Sequence, residues 1–155
     1  MSEDVESMSE TSSPKYQADQ PYRLFMSHGG NDRWVARQIR EKLSLSELHC
    51  FLDATDIEVG DNFRSIILDE IDKCHEVLVL LTPSSLQRAW VFAEIGAALS
   101  KGKRVVAIRF GLEMEELHKR GIVSLIGDSQ ILELDMIDIY IQAVCNRAKR
   151  HANGP

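Results

Sequence analysis

The sequence has few cysteines, no long apolar run and no signal for export. Its three cysteines form no CxxC pair and its five histidines are scattered, so we predict neither a disulfide framework nor a metal site. No apolar stretch approaches the ~20 residues that cross a bilayer, and the N-terminus lacks the basic and apolar regions of a signal peptide. We therefore expect a cytoplasmic protein with reduced cysteines.

An excess of basic residues is also missing. The net charge is −6, and residues 1–20 carry five acids and one lysine, so the rest of the chain is nearly neutral at −2. Nucleic acids and anionic membranes attract clustered lysines and arginines. The one basic cluster, at residues 147–151, fits cations at the C-terminal end of a helix. We therefore predict no nucleic-acid partner and no membrane partner.

The length of 155 residues and the 44% hydrophobic content suit a single domain. Residues 1–20 are rich in Ser, Glu and Asp, so we expect a disordered acidic leader there. Residues 21–150 should form the folded domain, and residues 151–155 a disordered tail. Within the folded part, short apolar runs alternate with segments of helical period. This alternation is typical of a parallel sheet with helices on both faces.

Five strands and five helices are predicted. The strands are at residues 22–27, 49–52, 77–81, 105–110 and 131–134. The helices are at residues 32–43, 62–74, 85–100, 113–120 and 136–149. For such an α/β chain we predict a flavodoxin-like five-stranded parallel sheet in the order 2-1-3-4-5 with right-handed crossovers. Ligands of these folds bind beyond the carboxyl ends of the strands, at the switch point between strands 1 and 3.

Two glycines follow the first predicted strand at this edge. Gly29 and Gly30 would let the backbone approach a ligand and direct N–H groups at a phosphate, helped by the positive end of the next helix. A plain strand-to-helix turn, capped by Asn31 or Asp32, explains the same residues equally well.

Glu94 is a single carboxylate in an apolar helical segment. At helical spacing its same-face neighbours are all uncharged: Trp90, Val91, Ala97 and Ala98. A buried carboxylate without a partner is unfavourable, so this residue has either a functional role or an ordinary explanation. The ordinary explanations are exposure to solvent, or an ion pair with Arg33 or Arg109.

A carboxylate beside an aromatic ring suits the chemistry of sugars. Trp90, one turn before Glu94, offers a flat apolar surface for a ring. A carboxylate stabilises positive charge, and the transition state of glycosidic cleavage resembles an oxocarbenium ion. These two residues therefore indicate a site for glycosidic chemistry, without identifying the sugar.

Three motifs within residues 22–149 resemble those of the Toll/interleukin-1 receptor (TIR) domain family, above all its stand-alone bacterial members. The first reads LFMSH at residues 24–28 and is followed by Asp32. The second reads FLD at residues 51–53 and IEVGDNFR at residues 57–64. The third runs from Ser84 through Trp90 to Glu94. In one departure, LQRA at residues 86–89 replaces the serine that often shortly precedes the tryptophan.

The resemblance implies a TIR domain at residues 21–150 that cleaves NAD+ at the nicotinamide–ribose bond. The products would be nicotinamide and ADP-ribose, or a cyclic or modified ADP-ribose, with NAD+ as substrate and no separate cofactor. Glu94 matches the catalytic glutamate, which would bind the ribose hydroxyls and stabilise the oxocarbenium-like state. The substrate-binding residues implied by the match are Phe25, Ser27, His28, Gly29, Asn31, Asp53 and Trp90.

Ordinary structural roles remain open for some of these residues. Asp53 suits a turn carboxylate equally well, and Ser27 and His28 suit simple hydrogen bonding within a loop. The resemblance also implies self-association through TIR–TIR contacts, a downstream effector that senses the nucleotide product, and antiphage or innate immune signalling. The alternative is a non-catalytic TIR module that acts only through protein–protein interaction, because one fold serves both purposes.

Overall fold

The computed structural model of the chain describes residues 21–52 and 62–154. The expected leader and the loop that holds Asp53 lie outside the described residues. Within the described residues, five parallel strands form one sheet in the order β2-β1-β3-β4-β5, which confirms the predicted fold class. The strands are β1 Arg23–Ser27, β2 His49–Leu52, β3 Glu76–Leu81, β4 Arg104–Arg109 and β5 Ile131–Glu133.

The central strand is buried along its whole length. All six residues of β3 are buried, because helices cover both faces of the sheet. Side chains alternate across a strand, so Val77 and Val79 face one apolar core while Leu78 and Leu80 face the other. The continuous apolar run that predicted this strand is therefore explained by its central position.

In the described ranges, six helices surround the sheet. They are α1 Arg33–Leu45, α2 Phe63–Lys73, α3 Ala89–Ser100, α4 Met114–Lys119, α5 Ile122–Ile126 and α6 Ile137–Ala152. Helices α1 and α6 pack on one face of the sheet, and α2, α3, α4 and α5 pack on the other. A helix is present at each predicted place. No helix in the described part of the chain is long and apolar enough to cross a membrane.

Besides shifts of one or two residues at other helix ends, the helices depart from the prediction in three ways. A short 3₁₀ turn at Ser85–Gln87 precedes α3, so the predicted helix at 85–100 is two pieces. Helix α5 was not predicted, because five residues between Gly121 and Gly127 are too few for a helical period to show. Helix α6 ends at Ala152, so the expected domain boundary at residue 150 falls inside its last turn.

A buried polar network anchors α6 at the amino edge of the sheet. Glu76 is the first residue of β3, and its side chain has no exposed surface. Arg147 of α6 donates to both oxygens of this carboxylate, at 2.9 and 2.7 Å. Tyr140 of α6 and Tyr22 also donate to it, at 3.0 and 3.1 Å. Burial and then the neighbouring Glu76 charge raise the pKa of Tyr22 to about 12. This network lies at the opposite edge from the predicted site.

Candidate functional site

The loops that follow β1 and β3 meet at the predicted switch point. β1 and β3 are neighbouring parallel strands, with Ser27 opposite Val79, so the segments after them leave the sheet side by side. We call residues 28–32 the β1 loop and residues 82–88 the β3 loop. The hydroxyl of Thr82 donates to the carboxylate of Asp32, which joins the two loops.

Gly29 is needed because the two loops pack tightly. A Cβ at this position would lie 2.9 Å from the Asp32 carboxylate, from the Ser84 hydroxyl and from the Ser85 backbone nitrogen. The backbone of Gly29 is otherwise ordinary, with φ −76°. At Gly30 a Cβ would meet no atom of the described chain within 4 Å. Phosphate contact by Gly29 stays a prediction, but the close packing already explains the glycine.

The structure confirms Asp32 as the N-cap residue of α1, but not a capping role for its side chain. Asp32 occupies the N-cap position, but in the described part of the chain its side chain makes no cap bond and instead accepts from Thr82. Thr82 itself is held by Ser85, whose hydroxyl accepts from the Thr82 N–H at 2.8 Å. Asn31 lies exposed in the 3₁₀ turn Gly30–Asp32, and its contact with substrate stays a prediction.

His28 and Ser27 are both buried at the end of β1. The Nδ1 atom of His28 lies 2.8 Å from the Gly29 carbonyl oxygen. A carbonyl only accepts hydrogen bonds, so Nδ1 carries a proton and the loop-bonding explanation applies to His28. Ser27 has no exposed surface, and its hydroxyl has no hydrogen-bond partner among the described residues. Such an orphaned hydroxyl at the expected site is a group that a ligand could satisfy.

Glu94 is buried in α3, with an exposed fraction of 1%. The other buried residues of this helix are all apolar: Val91, Ile95 and Ala98. Exposure to solvent is therefore excluded as the explanation for this carboxylate. Of the two arginines considered as partners, Arg109 contacts Glu133 and the Leu112 carbonyl oxygen, and Arg33 is exposed at the start of α1.

Trp90 lies one turn before Glu94 and lines a cleft of about 570 Å³. The described residues around this cleft are Asn62, Phe63, Arg64 and Trp90. The rings of Trp90 and Phe63 are 5.7 Å apart and tilted by 47°, which gives the cleft an aromatic wall. The buried indole nitrogen of Trp90 has no hydrogen-bond partner in the described ranges. The cleft thus has an aromatic wall, and the indole N–H of its tryptophan is buried behind that wall.

Phe25 supports the site from the core. It has no exposed surface, its ring stacks on Phe51 at 5.7 Å, and it packs in the same core as α3. Direct contact between Phe25 and substrate stays a prediction. The remaining predicted residue, Asp53, lies outside the described residues.

One polar residue at the site was missed in the sequence. Arg88, within the LQRA stretch, donates from Nη1 to the His28 carbonyl oxygen at 2.6 Å and is a second link between the loops. The two residues are sixty positions apart, so no local pattern reveals the contact. The signal that could have drawn attention to it is the arginine placed where a helix-capping residue is expected. The described residues contain no group of three or more His, Cys, Asp or Glu that could hold a metal ion.

A family model identifies the family to which this chain belongs. The TIR domain family model matches residues 24–139. A curated relative from Brachypodium distachyon, named "Probable 2' cyclic ADP-D-ribose synthase BdTIR", is 26% identical over 98 residues. The match covers 62% of this chain and 44% of that protein, so the chain spans less than half of its relative.

Solved structures of TIR domains share the fold. The TIR domain of the Toll-related receptor TRR-2 from Hydra magnipapillata has a TM-score of 0.62 at 16% identity, covering 82% of this chain and 98% of that one. The TIR domain heterodimer of RPS4 and RRS1 has a TM-score of 0.60 at 13% identity, covering 87% and 100%. At these identities the similarity concerns the fold alone.

Proposed function

This chain belongs to the TIR domain family, and we propose that it is an NAD+ nucleosidase that cleaves the bond between nicotinamide and ribose. The products are nicotinamide and ADP-ribose, or a cyclic or modified ADP-ribose. The observation that carries the proposal is the burial of Glu94 on an otherwise apolar helix face, one turn from the tryptophan that lines the cleft. The relative named as a cyclic ADP-ribose synthase supports the same activity.

The proposed chemistry needs a fixed negative charge near the ribose. When the nicotinamide–ribose bond breaks, its electron pair goes to the ring nitrogen, and nicotinamide leaves as a neutral molecule. The ribose carbon becomes oxocarbenium-like and positive. A carboxylate stabilises that charge more strongly in a site that excludes water, because the local dielectric constant is low. Water then adds to the carbon, or a hydroxyl of the same molecule adds and closes a ring; in both cases the attacking oxygen releases its proton to solvent.

The surrounding residues have matching roles in this proposal. The aromatic wall formed by Trp90 and Phe63 would pack against a ring or the ribose. The Ser27 hydroxyl and the Trp90 indole N–H are polar atoms that would gain partners from the bound dinucleotide. His28, Gly29, Asn31 and Asp53 remain proposed substrate contacts.

The first experiment measures nicotinamide release from NAD+ by concentrated purified protein. We expect Glu94→Gln to lower the rate at least about a hundredfold, because the shape is kept while the charge that stabilises the transition state is lost. Glu41→Gln, at an exposed position of α1, is the matched control and should retain full activity. Mass spectrometry separates ADP-ribose from a cyclic product, which is lighter by one water. Full activity in Glu94→Gln would refute the proposed mechanism.

The second candidate function is a TIR module that acts by self-association. The observation that favours it is apolar surface left uncovered near the same sheet edge: Trp34 of α1 is 71% exposed and Phe110, after β4, is 52% exposed. The RPS4–RRS1 neighbour is a heterodimer of TIR domains. Sedimentation velocity of the wild type and Glu94→Gln separates the candidates. Assembly of both proteins without nicotinamide release by the wild type would support the non-catalytic module.

The two candidates are compatible, and self-association belongs to our proposal for the enzyme. A nucleotide product would act on a downstream effector, in innate immune or antiphage signalling. An effector of this kind would respond to the reaction products of the wild type and not to those of Glu94→Gln.

A further inference from the structure

Arg88 occupies a position that suits arginine poorly. It directly precedes α3 at the N-cap position, where Ser, Thr, Asp or Asn normally accepts a hydrogen bond from the first turn. Arginine has only donors, so it cannot make that bond. Its positive charge also lies at the positive end of the helix dipole, which is unfavourable. Because Arg88 neither caps the helix nor suits the helix dipole, we expect its side chain to make a favourable contact elsewhere in the fold.

The compensating contact joins the two loops of the candidate site. The Arg88 Nη1 atom donates to the His28 carbonyl oxygen at 2.6 Å. The Arg88 backbone is itself fixed, because its N–H donates to the Ser85 carbonyl at 3.1 Å and its carbonyl accepts from the Val91 N–H at 3.1 Å. The guanidinium therefore links the β1 loop to a rigid point at the start of α3.

We propose that Arg88 is a positioning residue that holds the β1 loop against α3, and so sets the place of His28 relative to Trp90. This inference rests on the proposed NAD+ cleavage. Glu94 does not depend on the link, since α3 is held to the sheet by its own buried residues, Val91 and Ile95. The link therefore positions residues that bind the substrate. The position of the Glu94 carboxylate at the reacting centre does not depend on it.

The decisive variant is Arg88→Ser, because stability and substrate binding should respond differently. Serine restores a helix cap and removes the unfavourable charge, so the melting temperature should stay equal or rise. Loss of the link frees the β1 loop, so we expect KM for NAD+ to rise about tenfold while kcat stays within about twofold. This pattern is typical when a lost contact binds the substrate and the transition state equally well. A merely structural residue would lower stability and activity together.

A second measurement tests the link without any enzymatic activity. Hydrogen exchange of the backbone amides at residues 28–32, in the full chain without NAD+, should become about tenfold faster in Arg88→Ser. Arg88→Lys keeps a charged donor and should recover part of the protection. Arg37→Ser removes an exposed arginine from α1 and should leave both exchange and KM unchanged.

The outcomes separate this inference from the proposed function. Faster exchange in Arg88→Ser supports the link even if the wild type releases no nicotinamide, in which case only the proposed function fails. Unchanged exchange at residues 28–32 overturns the link, whatever the activity. In an active protein, an unchanged KM in Arg88→Ser overturns the positioning role as well.

Discussion

Replacing Arg147 with methionine should strongly destabilise the domain. Arg147 donates two hydrogen bonds to Glu76, whose side chain has no exposed surface, while the Arg147 side chain is 17% exposed. Methionine keeps the apolar packing of the stem but leaves a buried carboxylate without its counter-charge. The hydroxyls of Tyr22 and Tyr140 remain as its donors.

The size of this loss of stability follows from the burial of the ion pair between Arg147 and Glu76. Breaking a buried ion pair by removing one partner lowers stability by about 3–5 kcal/mol. We expect the lower end, about 3 kcal/mol, because two tyrosine donors stay and water can approach through the partly exposed position of Arg147. A domain of this size has about 5–15 kcal/mol of stability in total, so the melting temperature should fall by about 10 °C.

Urea denaturation followed by far-ultraviolet circular dichroism measures this loss directly. The double variant Arg147→Met with Glu76→Gln should recover about half of the lost stability, since the neutral amide no longer needs a counter-charge. Lys149→Met, an exposed position on the same helix, should change stability by less than about 0.5 kcal/mol. The reasoning is refuted if Arg147→Met is as stable as Lys149→Met, or if the double variant is less stable than Arg147→Met.

Two further predictions concern the loop glycines and alkaline pH. Gly29→Ala should lower stability by about 2 kcal/mol in urea denaturation, because its Cβ would clash with backbone of the β3 loop, whereas Gly30→Ala should change it by less than about 0.5 kcal/mol. Burial, and then the Glu76 charge, raise the pKa of Tyr22 to about 12 and raise the pKa of Tyr140 well above its usual value. The unfolded chain therefore loses these protons first, and the urea midpoint should fall as pH rises above about 10. Tyr22→Phe should show a smaller fall, and an equal one would contradict this cause.

The sheet could be predicted because its strands are locally apolar. The run that forms β3 is buried on both faces, so its hydrophobicity alone revealed a central strand. The prediction began one residue late, at Val77, because a charged residue rarely starts a fully buried strand. Glu76 is tolerated there because Tyr22, Tyr140 and Arg147 bind it, and Arg147 lies 71 positions later. A pattern that covers a few neighbouring residues does not contain that information.

The candidate site was predictable to a smaller degree. The uncharged residues at helical spacing around Glu94 drew attention to this carboxylate but left its exposure open, and its burial became known only from the packing of α3. The links between the loops did not follow, because Asp32 meets Thr82 and Arg88 meets His28 only after β1 and β3 pair. For Gly29 the sequence left a ligand contact and a plain turn equally open, and the tight packing of the two loops, which explains the glycine, is long-range as well.

The two buried glutamates show why position in the fold matters more than burial for assigning function. In the sequence, Glu76 and Glu94 are each an acid next to apolar residues, and both side chains are buried. Glu76 lies at the amino edge of the sheet, where an arginine and two tyrosines bind it and fasten α6.

Glu94 lies on α3, which starts at the carboxyl edge, one turn from a cleft with an aromatic wall. Parallel sheets bind ligands at that edge because strand ends and helix N-termini converge there. Substitution of Glu76 should therefore act on stability, and substitution of Glu94 on catalysis.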